Sequence, residues 1–166
     1  MPRPFDWFWS DTHFGHANII QYSNRPFKSI EQMNDVLIAN FRTWVKPDDT
    51  VLWLGDAFFG THDFGKTCLA QMWGTHVLVR GNHDRSAAAM AGLGFAAVTD
   101  VLTLSIQGRI VRATHKPVPV GRGEVCLHGH THQATRRVDN RVHVGVDAWD
   151  FRPASYAEVC RLVSEV

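Results

Sequence analysis

Cysteine is scarce and scattered in this chain: Cys68, Cys126 and Cys160 are odd in number, far apart and form no CxxC pair. That excludes a zinc knuckle and a disulfide framework. Cys68 and Cys160 fall in helical patterns and Cys126 in an apolar strand, so all three read as buried thiols of a reducing compartment. Long apolar runs are missing too, and none approaches the ~20 residues of a transmembrane helix. The first residues lack the basic-then-apolar order of a signal peptide, so the cytoplasm is the expected location and no membrane partner is expected. Net charge is almost nil, with 17 Lys and Arg against 16 Asp and Glu for a formal +1. No bulk field therefore draws nucleic acid or an anionic membrane. The densest basic cluster, Arg136, Arg137 and Arg141, surrounds an Asp139-Asn140 turn and reads as a solvated hairpin. Repeats, linkers and low-complexity stretches are absent.

What is present is an ordinary globular balance, 45% apolar and 20% charged over 166 residues. That is the size of one domain, 1–166, with a sizeable core. Phe5 to Ser10 reads as a buried strand stopping at Asp11, and Ala17 to Tyr22 as one or two helical turns broken by Asn24-Arg25-Pro26. Ser29 and Gln32 form a capping-box pattern, and Ile30, Met33, Leu37, Phe41 and Trp44 recur at helical spacing up to Pro47. Thr50 to Leu54 predicts a second strand, Phe64 to Trp73 a helix, and His76 to Arg80 a third strand. Strands separated by helical patterns predict a mainly parallel sheet, whose ligand sites gather beyond the strand carboxyl ends.

The second half changes style. Ser86 to Leu93 predicts an alanine-rich helix. Val101 to Ile106 with Arg109 to Thr114, and Ala134 to Val138 with Arg141 to Val146, predict two hairpins. Val125 to Leu127 is a short strand between them, and Ser155 with Glu158 caps a closing helix to Val163.

Five stretches each follow an apolar strand: Ser10-Asp11-Thr12-His13-Phe14-Gly15-His16, Gly55-Asp56, Gly81-Asn82-His83-Asp84, Thr114-His115 and His128-Gly129-His130-Thr131-His132. Singly, any of them is an ordinary turn. Together, Asp11, His13, Asp56, Asn82, His115, His130 and His132 offer oxygen and imidazole donors for two divalent ions, provided one carboxylate bridges. No thiolate stands where it would select a softer metal. His62, His76 and His143 read instead as hydrogen-bonded or surface histidines. The tryptophans, mostly in apolar patterns, read as core.

In order, spacing and residue type, these motifs resemble the five of the calcineurin-like metallophosphoesterases, across residues 11–132. The Asp-Thr-His-Phe-Gly-His-Ala-Asn-Ile-Ile opening and the Val-Gly-Val-Asp-Ala-Trp closing are similar to a small bacterial or phage-type branch. The resemblance implies an α/β fold, a four-layer α/β/β/α sandwich of two mixed sheets flanked by helices. It implies that Asp11, His13 and His132 hold one metal, that Asn82, His115 and His130 hold the second, and that Asp56 bridges. The cofactors implied are two divalent ions, manganese foremost, with iron, zinc or nickel as alternatives. Two features depart from the pattern: Thr114-His115-Lys116-Pro117 where many relatives read Gly-His, and an extra imidazole at His128. Lys116 is either a contact to substrate phosphate or an exposed loop lysine.

The activity implied is hydrolysis of a small phosphate ester, diesters favoured, by in-line attack of hydroxide made available between the ions. His83 is expected to protonate the leaving oxygen or stabilise the transition state, with Asp84 orienting it, and His16 to contact phosphate or order its own loop. A nuclease acting on short nucleic acids is the alternative within the enzyme class. A non-catalytic interaction scaffold would instead lack ligands, and here all seven are present. Selectivity would reside in loops such as Phe58 to Asp63 and Lys116 to Glu124.

Overall fold

The computed structural model describes residues 3–166, so the first two residues of the domain expected over 1–166 lie outside the described residues. In chain order the strands are β1 (Trp7–Trp9), β2 (Thr50–Trp53), β3 (Thr75–Val79), β4 (Ala97–Thr99), β5 (Leu102–Ile106), β6 (Arg109–Ala113), β7 (Val125–His128), β8 (Arg137–Val138), β9 (Arg141–His143) and β10 (Ala154–Ser155). The helices are α1 (Ile19–Tyr22), α2 (Ile30–Trp44), α3 (His62–Leu69), α4 (Ala87–Ala91) and α5 (Tyr156–Ser164).

Two mixed five-stranded sheets result, one in the order β10-β1-β2-β3-β4 and the other β5-β6-β7-β9-β8. Strands β1 to β4 are parallel, as their helical connections require, with β10 antiparallel at the edge. In the other sheet the two expected hairpins, β5 with β6 and β8 with β9, flank parallel pairings of β7.

The first sheet is buried on both faces, which is why its strands read as apolar runs rather than alternations. On one face Trp9, Trp53 and Leu78 pack with Met33, Leu37 and Phe41 of α2, Cys68 and Leu69 of α3, and Met90 of α4. On the other, Phe8, Leu52 and Val79 meet Val111, Val125, Leu127 and Val142 of the second sheet, joined by Val159 and Val163 of α5. Trp9 and Trp53 stack at 5.2 Å and 3°. All three cysteines are buried and free. With helices flanking both sheets, the architecture is the α/β sandwich expected.

Local chemistry sets the helix ends. Ser29 Oγ accepts from the Gln32 N–H at 3.1 Å, although the Gln32 side chain accepts from Lys28 N–H rather than from the cap residue itself. The Ser155–Glu158 capping box is complete, and Arg152 donates two hydrogen bonds to the Glu158 carboxylate.

Several boundaries differ from expectation. Helix α3 begins at His62, capped by the Thr61 hydroxyl, and ends at Leu69, so Met72 and Trp73 lie in the following turn. Strand β9 stops at His143 because Gly145 leads into a 3-10 turn, Val146–Ala148. Strands β4 and β10 carry no pattern of their own at three and two residues, and exist through pairing with β3 and β1. Trp44 and Trp73, expected in the core, are 49% and 39% exposed, each beneath an arginine, Arg152 and Arg42 respectively. Nor is the basic cluster simply solvated. The Arg136 guanidinium lies 4.2 Å from the Trp149 ring centroid and donates to the Ala148 carbonyl, and Arg137 pairs with Glu165 at 3.3 Å.

Candidate metal centre

The five strand-end loops converge beyond the carboxyl ends of β1, β2, β3, β6 and β7. Backbone hydrogen bonds lock the first two together: Asp11 N–H to Gly55 O, His13 N–H to Asp56 O and Phe14 N–H to Ala57 O, each 3.0 Å. The approach is close enough to demand glycine at Gly55, where φ is +92° and a Cβ would lie 2.5 Å from His115 Nδ1. A Cβ at Gly129 would lie 2.5 Å from Asp11 Oδ2. Asp11, His13, Asp56, His130 and His132 all have positive φ, between 50° and 71°. Left-handed backbone is uncommon outside glycine, and five donors sharing it marks a strained, over-determined site.

The donors fall into two groups, Asp11–His13–His132 and Asp56–His115–His130, with ligand atoms of each within 4.8 Å of one another. Asp56 faces both groups. Its Oδ2 lies 3.2 Å from His115 Nε2 and 3.5 Å from His13 Nε2. Asn82 joins the second group, its Oδ1 3.1 Å from His115 Nε2.

Hydrogen bonding on the far side of the rings decides what these groups can hold. His115 Nδ1 lies 2.7 Å from the Leu54 carbonyl, which can only accept, so Nδ1 carries the proton. His132 Nδ1 likewise donates to Asp147 Oδ2 at 3.0 Å. In the neutral rings, Nε2 is then a bare lone pair turned toward carboxylate and amide oxygens. His13 Nε2 is buried with no hydrogen-bond partner among the described residues. Such a set of acceptors with too few protons fits cations, and its oxygen–imidazole chemistry fits divalent transition ions.

Electrostatics without an ion shows the same frustration. Burial pushes Asp11 up to about 6, against the lowering pull of His132 and His115. Burial drives His13 down to about 3. Asp56 lies at about 2: burial raises it, but the hydrogen bond from His115 outweighs that. His115 moves upward despite burial, because the bond to Asp56 and the charge of Asp11 favour its proton. A proton on His115 stands where a cation would.

Arg25 and Asp147 were absent from the expected site. The Arg25 side chain is fully buried, pairs with Asp147 at 2.8 Å, and donates to the carbonyls of Asp11 at 2.7 Å and Thr12 at 3.2 Å. Asp147 in turn holds His132, completing a carboxylate–histidine pair of the kind that orients metal ligands. Arg25 reads locally as part of a helix break. Asp147 lies within the Val-Gly-Val-Asp-Ala-Trp segment, which was the one available signal.

The other expected residues divide. Asp84 does not orient the His83 ring: its carboxylate accepts from the backbone N–H groups of Gly81, Asp56 and Ala57, clamping two ligand loops together. The His83 ring is exposed, with its centroid 5.6 Å from that of His13. His16 places Nδ1 3.1 Å from His13 Nδ1. Were His13 Nε2 to take a cation, His13 would donate from Nδ1 and His16 accept, which would put the His16 proton on Nε2. Lys116 is exposed and lines a groove of about 350 Å³ with Arg80, Asn82 and His115. His128 is buried, hydrogen-bonded to the Gly129 carbonyl and stacked on His143 at 5.3 Å. His76, read as structural, accepts from Trp53 Nε1 at 3.1 Å.

No family model matches the chain. It is 29% identical over 94% of its length to an uncharacterised protein of Methanocaldococcus jannaschii, of which it covers 89%. It is 28% identical to the Gene 66 protein of Mycobacterium phage L5, covering 96% of this chain and 94% of that one. Among solved structures, a protein of unknown function from Aquifex aeolicus shares the fold, with a TM-score of 0.77 and 24% identity over 94% of this chain and 97% of its own. A phosphoesterase of E. coli overlays at a TM-score of 0.49 and 16% identity over 84% of this chain and 76% of its own, too distant to carry an activity across.

Proposed function

We propose that the chain is a dinuclear-metal phosphoesterase acting on small phosphate esters, diesters favoured, with manganese as the working ion. The observation that supports this most is the pair of donor groups whose Nε2 lone pairs face carboxylates, with Asp56 Oδ2 between them. Asp11, His13 and His132 would hold one ion; His115, His130 and Asn82 would hold the other, and Asp56 would bridge. Bound there, a divalent pair supplies Lewis acidity, activating water near neutral pH and neutralising charge on phosphoryl oxygens.

The protein's own groups do the rest. His83, exposed beside the centre, donates an imidazole proton to the leaving oxygen. His16 adjoins His13 of one donor group and Lys116 lines a groove with Asn82 and His115 of the other, and each would meet a nonbridging phosphate oxygen. Among the described residues no helix is long and apolar enough to cross a membrane; the cytoplasm is the proposed compartment.

Chelated protein is expected to lose hydrolysis of bis(p-nitrophenyl) phosphate and regain it with manganese. Activity indifferent to chelation, or absent with every divalent ion, overturns the reading. His83→Ala should keep two bound ions while turnover falls by about 10²–10⁴. Metal content falling together with turnover would make His83 a ligand or support instead.

A further inference from the structure

Tyr22, His16 and Phe59 stand together on the open side of the metal centre. The Phe59 ring stacks on the His16 imidazole at 4.1 Å and 12°, and the Tyr22 ring meets His16 edge-on at 6.2 Å. His83 lies 5.6 Å from Phe59. Phe59 is 39% exposed and Tyr22 73%. Phe58 stacks against Phe14 in the core, so its neighbour Phe59 is the one turned outward.

The platform is tied down rather than hung on a free loop. Phe14 and Phe58 form a β-bridge, and Phe59 N–H donates to the Phe14 carbonyl at 2.7 Å. Gly15, with φ +82°, lies so close beneath that any Cβ would strike the Phe59 carbonyl. Arg85 reaches from the Asn82–His83 loop to the Gly60 carbonyl. Loops that carry metal donors therefore fix the aromatic faces. The His16 ring is 5.2 Å from His13, so the platform abuts the metal donors.

We propose that this platform takes the base of a nucleotide, making the substrate of the centre a small nucleoside phosphodiester rather than an ester of an alkyl or sugar alcohol. The proposal rests on the phosphoesterase reading above. Stacking suits it because every base offers a π-face, and an aromatic platform accepts all of them. A net charge of +1 lacks the extended basic field a long polynucleotide would need, which favours a short substrate. The His16 ring, stacked on Phe59 and 5.2 Å from His13, would bring the sugar-phosphate of a stacked nucleotide next to the donors.

Two esters that release the same nitrophenolate isolate the base: thymidine 5′-(p-nitrophenyl phosphate) and ethyl p-nitrophenyl phosphate. Metal-loaded enzyme is expected to favour the thymidine ester in kcat/KM by about tenfold or more. In Phe59→Ser and Tyr22→Ser that ratio should fall toward unity, whatever happens to the common rate. A ratio near unity in the parent enzyme, or one kept by both variants, overturns the proposal. Hydrolysis of neither ester with any divalent ion would sink the phosphoesterase reading instead. Equilibrium dialysis then still decides on the platform: adenosine monophosphate should bind about tenfold more tightly than ribose 5-phosphate, with both variants losing that margin. Equal binding of the two overturns it.

Discussion

The two donor groups are built to different standards. Behind the first stands a buried chain, Arg25 to Asp147 to His132, with Arg25 also holding the Asp11 and Thr12 carbonyls and His16 holding His13. Behind the second, among the described residues, one ring is anchored, His115 on the Leu54 carbonyl, while Asn82 is exposed and neutral. One half of the centre is a preformed cradle. The other has fewer contacts of its own to hold its candidate ligands in register. A buried ion pair is a poor source of net stability, so its use here points to orientation rather than to folding.

The largest expected effect comes from breaking the cradle. Arg25→Ala takes from the buried Asp147 carboxylate its only cation among the described residues, leaving it held by His132 alone, and should cost about 3–5 kcal/mol in chemical denaturation. Arg25→Lys should not restore it, because an ammonium cannot span Asp147 and two carbonyls as a guanidinium does.

Next comes the contrast between the two carboxylates in metal-free protein. Asp11 is raised from 3.8 to about 6, so its contribution is fully present below pH 3.8 and is lost as pH rises through about 6. Asp56, lowered to about 2, works the other way and contributes above pH 3.8. Asp11→Asn should therefore gain about 3 kcal/mol on the parent between pH 4 and 7, and asparagine tolerates the left-handed backbone at that position. Asp56→Asn should lose relative to the parent as pH rises from 2 to 4. Denaturation at stepped pH, with chelator present, measures both; equal pH dependence of the two variants would erase the distinction.

The smallest effect is the most selective. Asp147→Asn removes the carboxylate behind His132 and should weaken the first ion by about 10–100-fold. Competition titration should find the second ion unchanged. Equal weakening of both would mean that the cradle serves the whole centre.

How much of this could be read from sequence follows the same division. The convergence of the seven candidate donors was legible because each sits where an apolar strand runs out, a local signal strong enough to survive without contacts. The parallel first sheet was legible for the same reason: double burial leaves continuous apolar runs such as Thr50 to Leu54. Arg25 and Asp147 were not, since the pair that matters is separated by 122 residues and neither end carries a local pattern. Asp84 was assigned the wrong partner because adjacency to His83 says nothing about which backbone amides its carboxylate meets. Phe64 to Trp73 looked helical by periodicity, but the Thr61 cap starts α3 two residues earlier. The left-handed backbone at the donors was hidden because aspartate and histidine, unlike glycine, do not advertise it.

The central claim is a shared carboxylate between two ions. Anomalous scattering from crystals grown with manganese tests it most directly. Two peaks roughly 3.5–4 Å apart, one beside His13 and His132, one beside His115 and His130, with Asp56 between them, are expected. A single peak, or two that leave Asp56 untouched, would contradict it.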